Sequence, residues 1–372
     1  MKSNYDVLGN YIRLIDTRNK DLVSEKVLGI NIDKFFMPSV ANVIGTDLSK
    51  YKLITKGKFA CNPMHVGRDE RLPVALYTED TPAIVSPAYF MFEIIDASIL
   101  NEEYLMMWFR RPEFDRLCWL RTDGSVRGGI TWDDICRMEI PVLSMDEQME
   151  VVNGYKAITE RIELKRQIND NLEAQMKALF DELVITNEEY KFDEALDARI
   201  SFINGLAMQN FRPQDSESGI PVIKIRELTQ GYCDENSEYC NPNIDGSHII
   251  HRGDLVFSWS GSLQAAFWTA ETAGLNQHLF KVESECYPKW LVYQWVLFHL
   301  LNFQRIAENK GTTFGHIKRE DLHAARIKSM RLDSIKRLDN LFNPILSSLI
   351  CNSTELHSLM DLQRVLLSHL SR

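Results

Sequence analysis

Two glycine-containing segments of this chain match each other: Gly124-Ser125-Val126-Arg127-Gly128-Gly129-Ile130 and, 187 residues later, Gly311-Thr312-Thr313-Phe314-Gly315-His316-Ile317. The same shift places Trp108 on Trp295 and keeps several leucines in register. A constant shift over so many positions indicates an internal repeat, in which one structural unit occurs twice. The sequence therefore predicts two similar units in one chain.

The part of each unit that precedes the glycine segment also repeats, with slightly different shifts. Ile54-Thr55-Lys56-Gly57-Lys58-Phe59 is similar to Ile250-His251-Arg252-Gly253-Asp254-Leu255, and Val85-Ser86-Pro87-Ala88-Tyr89-Phe90 is similar to Leu275-Asn276-Gln277-His278-Leu279-Phe280. Similarity is stronger after the glycine segments than before them. This pattern is expected when two copies keep their packing positions while their surface loops diverge.

Each unit begins with a mixed region. Short β-rich runs, such as residues 220–225, alternate with turn residues. A helical pattern follows over residues 101–119 and again over 288–308, and a glycine segment and a short helix with a β segment come next. Asp133-Asp134 and Glu320-Asp321 are interpreted as the caps of those short helices.

The pattern then changes to a period of 3.6. From Val152 to Leu183 the apolar positions are spaced mostly by three and four residues, which predicts one long amphipathic helix. Asp146 is expected to cap it. A helix of that length needs a partner along its apolar stripe, and its copy near the C-terminus is the obvious one. There Pro344 should kink the helix or mark its first turn.

Together these patterns predict a mixed α/β (α+β) fold with a pseudo-twofold internal repeat. Two similar mixed α/β domains, residues 1–145 and 186–328, would be separated by two long antiparallel helices, residues 146–185 and 329–372. The helices would form a coiled-coil spacer.

Charge alone does not indicate a nucleic-acid partner. The net charge is −10 over 372 residues, but residues 146–200 hold 14 acidic and 7 basic side chains. The acidity therefore lies mainly in one segment, and the remainder can present basic patches.

Seven scattered cysteines without a C-x-x-C pair indicate free thiols in a reducing cytoplasm. The closest pair, Cys233 and Cys240, and the histidines His248 and His251 are considered as metal ligands, but no metal is expected. No apolar run is long enough to span a membrane.

The motifs of common enzymes are missing. The chain has no G-x-x-x-x-G-K-[ST], no G-x-S-x-G and no H-E-x-x-H. Cys61-Asn62-Pro63-Met64 and Cys240-Asn241-Pro242-Asn243 carry only the Asn-Pro of an adenine methyltransferase motif, and we interpret both as turns. The sequence therefore predicts no catalytic residues.

Several loops combine residue types that contact nucleic acids. They comprise a loop after a predicted strand, the glycine segment, a third loop, and a predicted strand in the second unit. The candidates in the first unit are Asn62, His65, Arg68, Arg71, Ser86, Tyr89, Arg121, Ser125 and Arg127. Those in the second are Lys224, Arg226, Ser258, Trp259, Ser260, Gln264, Asn276, Gln277, His278, Lys310, Thr312, Thr313, His316 and Lys318. Matching loops share almost no side chains, as different half-site specificities would require, although solvated turns would look similar.

In the order of these motifs, the chain resembles specificity (S) subunits of type I restriction-modification systems over essentially its whole length. The resemblance also rests on Ile140-Pro141-Val142-Leu143, which leads to Asp146-Glu147-Gln148 at the start of the first long helix.

The resemblance implies a non-catalytic subunit that reads a split site on double-stranded DNA with two target-recognition domains. It implies that the helices act as a ruler and dock two methyltransferase subunits, which a restriction subunit would join. S-adenosylmethionine would be bound by the methyltransferase, so this chain needs no cofactor. The helix residues expected to face a partner are Gln148, Lys156, Arg161, Lys165 and Arg166.

The second unit departs from the pattern. Ile327-Lys328-Ser329-Met330 and Asp333-Ser334-Ile335 replace the proline- and glutamine-containing segments of the first unit, which puts equal docking of two methyltransferases in question. Two other interpretations stay open: a helical scaffold whose lobes bind proteins, and a DNA-modifying enzyme with an unrecognised motif set.

Overall fold

The computed structural model describes residues 5–40, 45–64, 66–122, 128–213, 219–309 and 315–370. The chain divides into two compact units. The first unit comprises residues 1–160 and 361–372, and the second comprises residues 161–360. Each unit therefore contains part of both long helices.

The first unit contains two four-stranded sheets and one two-stranded sheet. The sheet orders are β2-β9-β6-β7, β4-β3-β8-β5 and β1-β10, and among the described strands of this unit only β3 and β8 pair in parallel. The strands are β1 (Tyr5–Val7), β2 (Ile12–Leu14), β3 (Val27–Ile30), β4 (Phe36–Pro38), β5 (Lys52–Ile54), β6 (Phe59–Cys61), β7 (Val74–Leu76), β8 (Ala83–Val85), β9 (Phe90–Ile94) and β10 (Glu139–Pro141).

The described part of the first unit also contains four short α-helices: α1 (Val66–Asp69), α2 (Glu102–Phe109), α3 (Pro112–Leu120) and α4 (Trp132–Cys136). The expectation of one helix over residues 101–119 was wrong, because Pro112 has no N–H for a continuing helix and instead begins α3. Asn101 caps α2, since its side chain accepts from the N–H groups of Glu103 and Tyr104.

The second unit repeats this topology strand for strand. Its sheet orders are β12-β19-β16-β17, β14-β13-β18-β15 and β11-β20, and its parallel pair, β13 and β18, matches that of the first unit. The strands are β11 (Phe192–Ala195), β12 (Ser201–Asn204), β13 (Ile220–Ile223), β14 (Tyr239–Cys240), β15 (Ile249–Ile250), β16 (Leu255–Ser258), β17 (Ala265–Phe267), β18 (Ala273–Leu275), β19 (Leu279–Glu283) and β20 (Arg326–Lys328). The predicted repeat and the mixed α/β class are confirmed.

The helices of the second unit are α6 (Ile225–Gln230), α7 (Lys289–Asn309) and α8 (Arg319–Ala324). Lys224 and Arg226 were expected on a strand, but β13 ends at Ile223 and Arg226 lies in α6. The reason is a local cap: the carboxylate of Glu227 accepts from the backbone N–H of Lys224 at 3.1 Å and so starts the helix.

A left-handed glycine precedes β6 in the first unit and the equivalent strand β16 in the second. Gly57 has φ +81° and Gly253 has φ +85°, a conformation that side chains rarely adopt. The N–H of Gly57 donates to Tyr77 at 2.9 Å, and that of Gly253 donates to Trp268 at 2.7 Å. The repeated Lys-Gly and Arg-Gly motifs are therefore equivalent turns.

The units have cores of their own. In the first unit Trp108 is fully buried in a cluster with Phe59, Phe92 and Phe114. In the second unit Trp295 is fully buried in a larger cluster that includes Trp290, whose ring stacks on Phe342 at 4.2 Å. The tryptophans that the repeat aligns thus have the same packing role.

The long helices are α5 (Met145–Phe180) and α9 (Leu332–His369). Ser144 rather than Asp146 caps α5: the Ser144 N–H donates to the Glu147 carboxylate at 2.9 Å, and the Glu147 N–H donates to the Ser144 hydroxyl at 3.4 Å. Pro344 lies inside α9 and does not mark its first turn.

Within the second unit, α5 and α9 run antiparallel. Arg161 contacts Glu355, while the amides of Asn352 and Asn169 are joined at 3.0 Å further along α5. Within the first unit, Gln363 donates to Thr159 at 2.8 Å. A coiled-coil packing of the helices stays a prediction.

Candidate nucleic-acid interface

In the first unit, the loop that follows β6 is joined to the described end of the glycine segment. The N–H of Gly67 donates to the carbonyl of Gly128 at 3.0 Å, and the N–H of Ile130 donates to the carbonyl of Pro63 at 3.1 Å. Asn62 shapes the loop, because its side-chain oxygen accepts from the Met64 N–H at 3.1 Å.

The same two hydrogen bonds occur in the second unit. The N–H of Gly261 donates to Gly315 at 3.0 Å, and the N–H of Ile317 donates to Trp259 at 3.0 Å. The acceptor Gly315 and the donor Ile317 are the repeat partners of Gly128 and Ile130. Both units therefore join the same two loops in the same way.

In the second unit a third loop adjoins these two. The carbonyl of His278 accepts from the Trp259 N–H at 3.3 Å, and its ring Nδ1 lies 3.1 Å from the Ser260 hydroxyl. The Trp259 ring lies 6.0 Å from the ring of His278 and 6.3 Å from that of His316. Residues from all three predicted loops thus meet around one tryptophan.

Not every candidate in this group is accessible. Ser258 is fully buried, and its hydroxyl bonds Ser262 and Gln264 within its own loop. Asn276 is buried and accepts from the His278 N–H at 3.2 Å. Ser258 and Asn276 therefore shape the loops, whereas His278 is exposed and Gln277 and His316 are partly exposed.

Gln264 is turned toward α6, where its side-chain amide donates to the Thr229 hydroxyl at 2.5 Å. Lys318 is exposed, and its backbone N–H donates to Asp321 at 2.7 Å at the start of α8. The N-cap residues of α4 and α8 are Thr131 and Lys318, so the interpretation of the aspartates as the caps was wrong: Asp134 and its repeat partner Asp321 lie three residues further, in the first turn of each helix.

The predicted arginines of the first unit contact nearby oxygens. Arg68 pairs with Asp69 at 2.6 Å, and Arg71 pairs with Asp33 at 3.1 Å. Arg121 donates to the carbonyl of Asp134 at 3.1 Å. All three side chains remain exposed.

The cations near β13 are also paired. Lys224 contacts Glu238 at 2.5 Å. Arg226 bonds Asp234 at 2.9 Å and Glu227 at 2.6 Å, and these hydrogen bonds raise the pKa of its guanidinium. A phosphate would have to compete with these carboxylates.

The third loop of the first unit has a different character. Ser86 closes its turn, since its hydroxyl accepts from the Ala88 N–H at 3.3 Å. Tyr89 is partly buried against a second, smaller hydrophobic cluster of the first unit, and this burial raises the pKa of its hydroxyl. His65, Ser125, Arg127, Lys310, Thr312 and Thr313 lie outside the described residues.

On the helices, Gln148 is fully buried. Its amide donates to the carbonyls of Ile99 at 2.8 Å and Leu143 at 2.9 Å, and its oxygen accepts from the Asn101 N–H at 2.9 Å. Gln148 joins the N-terminal end of α5 to the domain, and it has no accessible surface for direct contact with a partner.

The basic helix residues differ in their surroundings. Arg161 and Lys165 both pair with Glu355 and lower the pKa of that carboxyl, Lys165 having the larger effect. Arg166 is exposed. Lys156 pairs with Glu103 at 2.5 Å beside a cleft of about 470 Å³ in the first unit.

Among the residues that the structure describes, no three or more His, Cys, Asp or Glu residues lie close enough to hold a metal ion. None of the described helices combines the length and apolarity of a membrane span.

No protein-family model matches the chain, but individual proteins do. The specificity subunit of the type I restriction enzyme MjaIX from Methanocaldococcus jannaschii is 22% identical over 302 residues, which cover 74% of this chain and 70% of that protein. The specificity subunit of the type I restriction enzyme EcoBI from Escherichia coli is 28% identical over 89 residues, which cover 24% of this chain and 18% of that protein.

A solved structure shares the fold. The type I restriction-modification S subunit from M. genitalium superimposes with a TM-score of 0.53 and 13% sequence identity over 98% of this chain and 95% of that one. The resemblance seen in the sequence is therefore confirmed: the similar curated proteins are type I restriction enzyme specificity subunits, and the fold is that of an S subunit.

Proposed function

We propose that this chain is the DNA-specificity subunit of a type I restriction-modification complex and reads a split target with its two units. Its similarity to proteins named specificity subunits supports this proposal. The chain would act in the cytoplasm as a binding subunit and would leave catalysis to its partners.

One observation carries the two-reader part of the proposal. Equivalent loops are joined by equivalent hydrogen bonds in both units, at Gly128 and Ile130 and at Gly315 and Ile317. The side chains that these loops present are nevertheless different. Side chains read the edges of bases, whereas the backbone hydrogen bonds fix the positions of the loops. The same loop arrangement would therefore present two different sets of base-reading side chains.

The division of labour follows from this. Residues 1–145 and 186–328 would be the target-recognition domains, each with its joined loops toward a groove of double-stranded DNA. Residues 146–185 and 329–372 would set the spacing and dock two methyltransferase subunits, and a restriction subunit would join them. S-adenosylmethionine would be bound by the methyltransferase.

The test is co-expression with the cognate methyltransferase subunit, followed by single-molecule sequencing of methylated adenines in the host genome. We expect a motif of two short specific halves around a fixed non-specific gap. Methylation at a contiguous motif would contradict two working readers.

A protein-binding scaffold is the second candidate, and the pairing of the cations favours it. Lys224 and Arg226 contact carboxylates, so neither offers an unpaired charge to phosphate. A stable complex with the methyltransferase that neither binds nor methylates DNA would favour the scaffold.

A further inference from the structure

A cleft in the first unit is lined by residues of β7, α2 and α5. Its volume is about 470 Å³, a size typical of clefts that take a ligand. Met106 and Met107 of α2 and Val152 and Tyr155 of α5 line the cleft with buried apolar side chains. Phe35, in the turn after β3, also lines it and is 50% exposed. The described residues therefore leave an apolar space unfilled.

The second unit fills the equivalent space with a side chain of its own. The repeat places Glu103 of α2 on Trp290 of α7, and Tyr155 of α5 on Phe342 of α9. Trp290 is fully buried, and its ring stacks on that of Phe342 at 4.2 Å. An indole therefore covers the aromatic ring that faces the cleft in the first unit.

The first unit has no indole at this position. Glu103 instead forms an ion pair with Lys156 at 2.5 Å beside the cleft. In the second unit the Trp290 indole N–H donates to the carboxylate of Asp339 at 2.9 Å, and Val152 is the repeat partner of Asp339. The first unit thus has the ring on which an indole would stack, but it lacks both the indole and its carboxylate.

A smaller cleft of the second unit lies elsewhere along α9. Its volume is about 300 Å³, and it is lined by Leu349, Ile350 and Ser353, about two turns beyond Phe342. Trp290 is not part of its lining. The indole thus closes the position that stays open in the first unit.

The charges beside the open cleft indicate the remaining groups of an occupant. Four charged residues of the lining have ion-pair partners: Lys34, Glu79, Glu103 and Lys156. Arg110 and Glu160 also line the cleft and are exposed, and neither forms an ion pair with another described residue. The Arg110 guanidinium lies over the Tyr155 ring at 5.8 Å. A carboxylate for Arg110 and a cation for Glu160 would complement these charges.

We propose that this cleft of the first unit is a docking site for the methyltransferase subunit. The partner would place an aromatic side chain against Tyr155, flanked by an acidic and a basic residue of the same segment. The second unit would not take this side chain, because Trp290 occupies its place. The inference rests on the proposed function, in which α5 docks a methyltransferase, and it adds that the two methyltransferases are held by different contacts.

The experiment measures the binding of the purified methyltransferase subunit to the full chain by isothermal titration calorimetry. Glu103→Trp copies Trp290 and should fill the cleft, so we expect it to weaken one binding step about tenfold and to leave any second step unchanged. Glu103→Ala removes the ion pair with Lys156 but fills nothing, and it should have a smaller effect. Glu139→Trp is the matched control, because Glu139 is exposed and lies outside the cleft, and it should change neither step.

Arg110→Glu tests the charge beside the cleft. It should weaken the same binding step about tenfold, because the acidic residue of the partner would then face a like charge. Arg110→Lys keeps the charge and should retain most of the affinity. Arg116→Glu is the control, because Arg116 is exposed on α3 and lies outside the cleft.

A photoreactive amino acid introduced at Glu160 identifies the occupant. We expect cross-links to a methyltransferase segment that holds an aromatic residue between an acidic and a basic one. Cross-links to a second copy of this chain, or to a methyltransferase segment without an aromatic residue, would overturn the inference.

The binding measurements separate the inference from the function on which it rests. A wild-type chain that binds no methyltransferase would contradict the proposed function. A chain that binds it with an affinity that neither Glu103→Trp nor Arg110→Glu lowers would overturn the inference alone, and so would equal weakening of two binding steps. If Glu103→Trp does not fold, Arg110→Glu and the cross-link decide.

Discussion

At the scale of the residue, a buried charge in this chain is stabilised by partners that are distant in sequence. Lys34 is an example. Its ammonium lies 2.6 Å from Asp115, donates to the Phe109 carbonyl at 2.7 Å and is 5% exposed. Burial lowers the pKa of this ammonium. The pair holds the turn after β3 against α3, so it acts in the stability of the first unit.

Replacing Lys34 should therefore be costly. Lys34→Met leaves the Asp115 carboxylate buried without its cation, and we expect the free energy of unfolding of the first unit to fall by about 3 kcal/mol. Urea titration with hydrogen exchange in α3 measures this. Lys50→Met is the control, because Lys50 is 76% exposed, and it should change stability by less than about 0.5 kcal/mol. Equal effects of the two variants would contradict the argument.

At the scale of the residue, the sequence alone predicts only some of the contacts in the candidate site. Asp69 is the neighbour of Arg68, so its pairing could have been anticipated. Asp33 lies in a turn that is distant from Arg71 in sequence, so no local sequence pattern predicts their contact. The same holds for Ser260 and His278, which become neighbours only because two loops converge.

At the scale of the element, the long helices follow from periodicity, because one apolar stripe recurs every 3.6 residues. The strands are harder to predict. Many have only three residues, too few for a clear alternation, and their partners are far away in sequence. β3 and β8 pair in parallel across more than fifty residues. The repeat revealed that the units are alike, but it could not give the sheet order.

The junction between domain and helix depends on Gln148. Gln148→Ala removes both donors to Ile99 and Leu143, and we expect a loss of about 2 kcal/mol in the stability of the first unit. Gln167→Ala, on the exposed face of the same helix, is the control.

The affinity of the variant for the methyltransferase distinguishes a structural role of Gln148 from a direct contact with the partner. At a temperature where the variant stays folded, affinity for the methyltransferase should be unchanged. Unchanged stability with weakened binding would instead make Gln148 a direct partner contact.

At the scale of the whole molecule, the chain is one design used twice with local differences. Gln148 in the first unit aligns with Ile335 in the second, and both are buried. The first junction is therefore hydrogen-bonded and the second apolar. Equivalent folds can thus reach the same packing through different chemistry, which is why the repeat weakens where the fold does not.

Exchanging residues 1–145 for those of a relative with known specificity tests the two-reader design. We expect one half of the methylated motif to become that of the donor, while the other half stays unchanged. The measurement is again genome-wide mapping of methylated adenine, with the unaltered chain as control. A change in both halves would show that the units do not read independently.

The paired cations have a consequence for how tightly the chain could hold DNA. A protein that neutralises phosphates releases condensed counterions, and this release makes binding steeply dependent on salt. Arg68, Arg71, Lys224 and Arg226 already have carboxylate partners, so they would displace few such ions. These four residues would therefore add little sequence-independent affinity for DNA. The chain would discriminate among sequences, and its partner subunits would supply the contacts to the phosphate backbone.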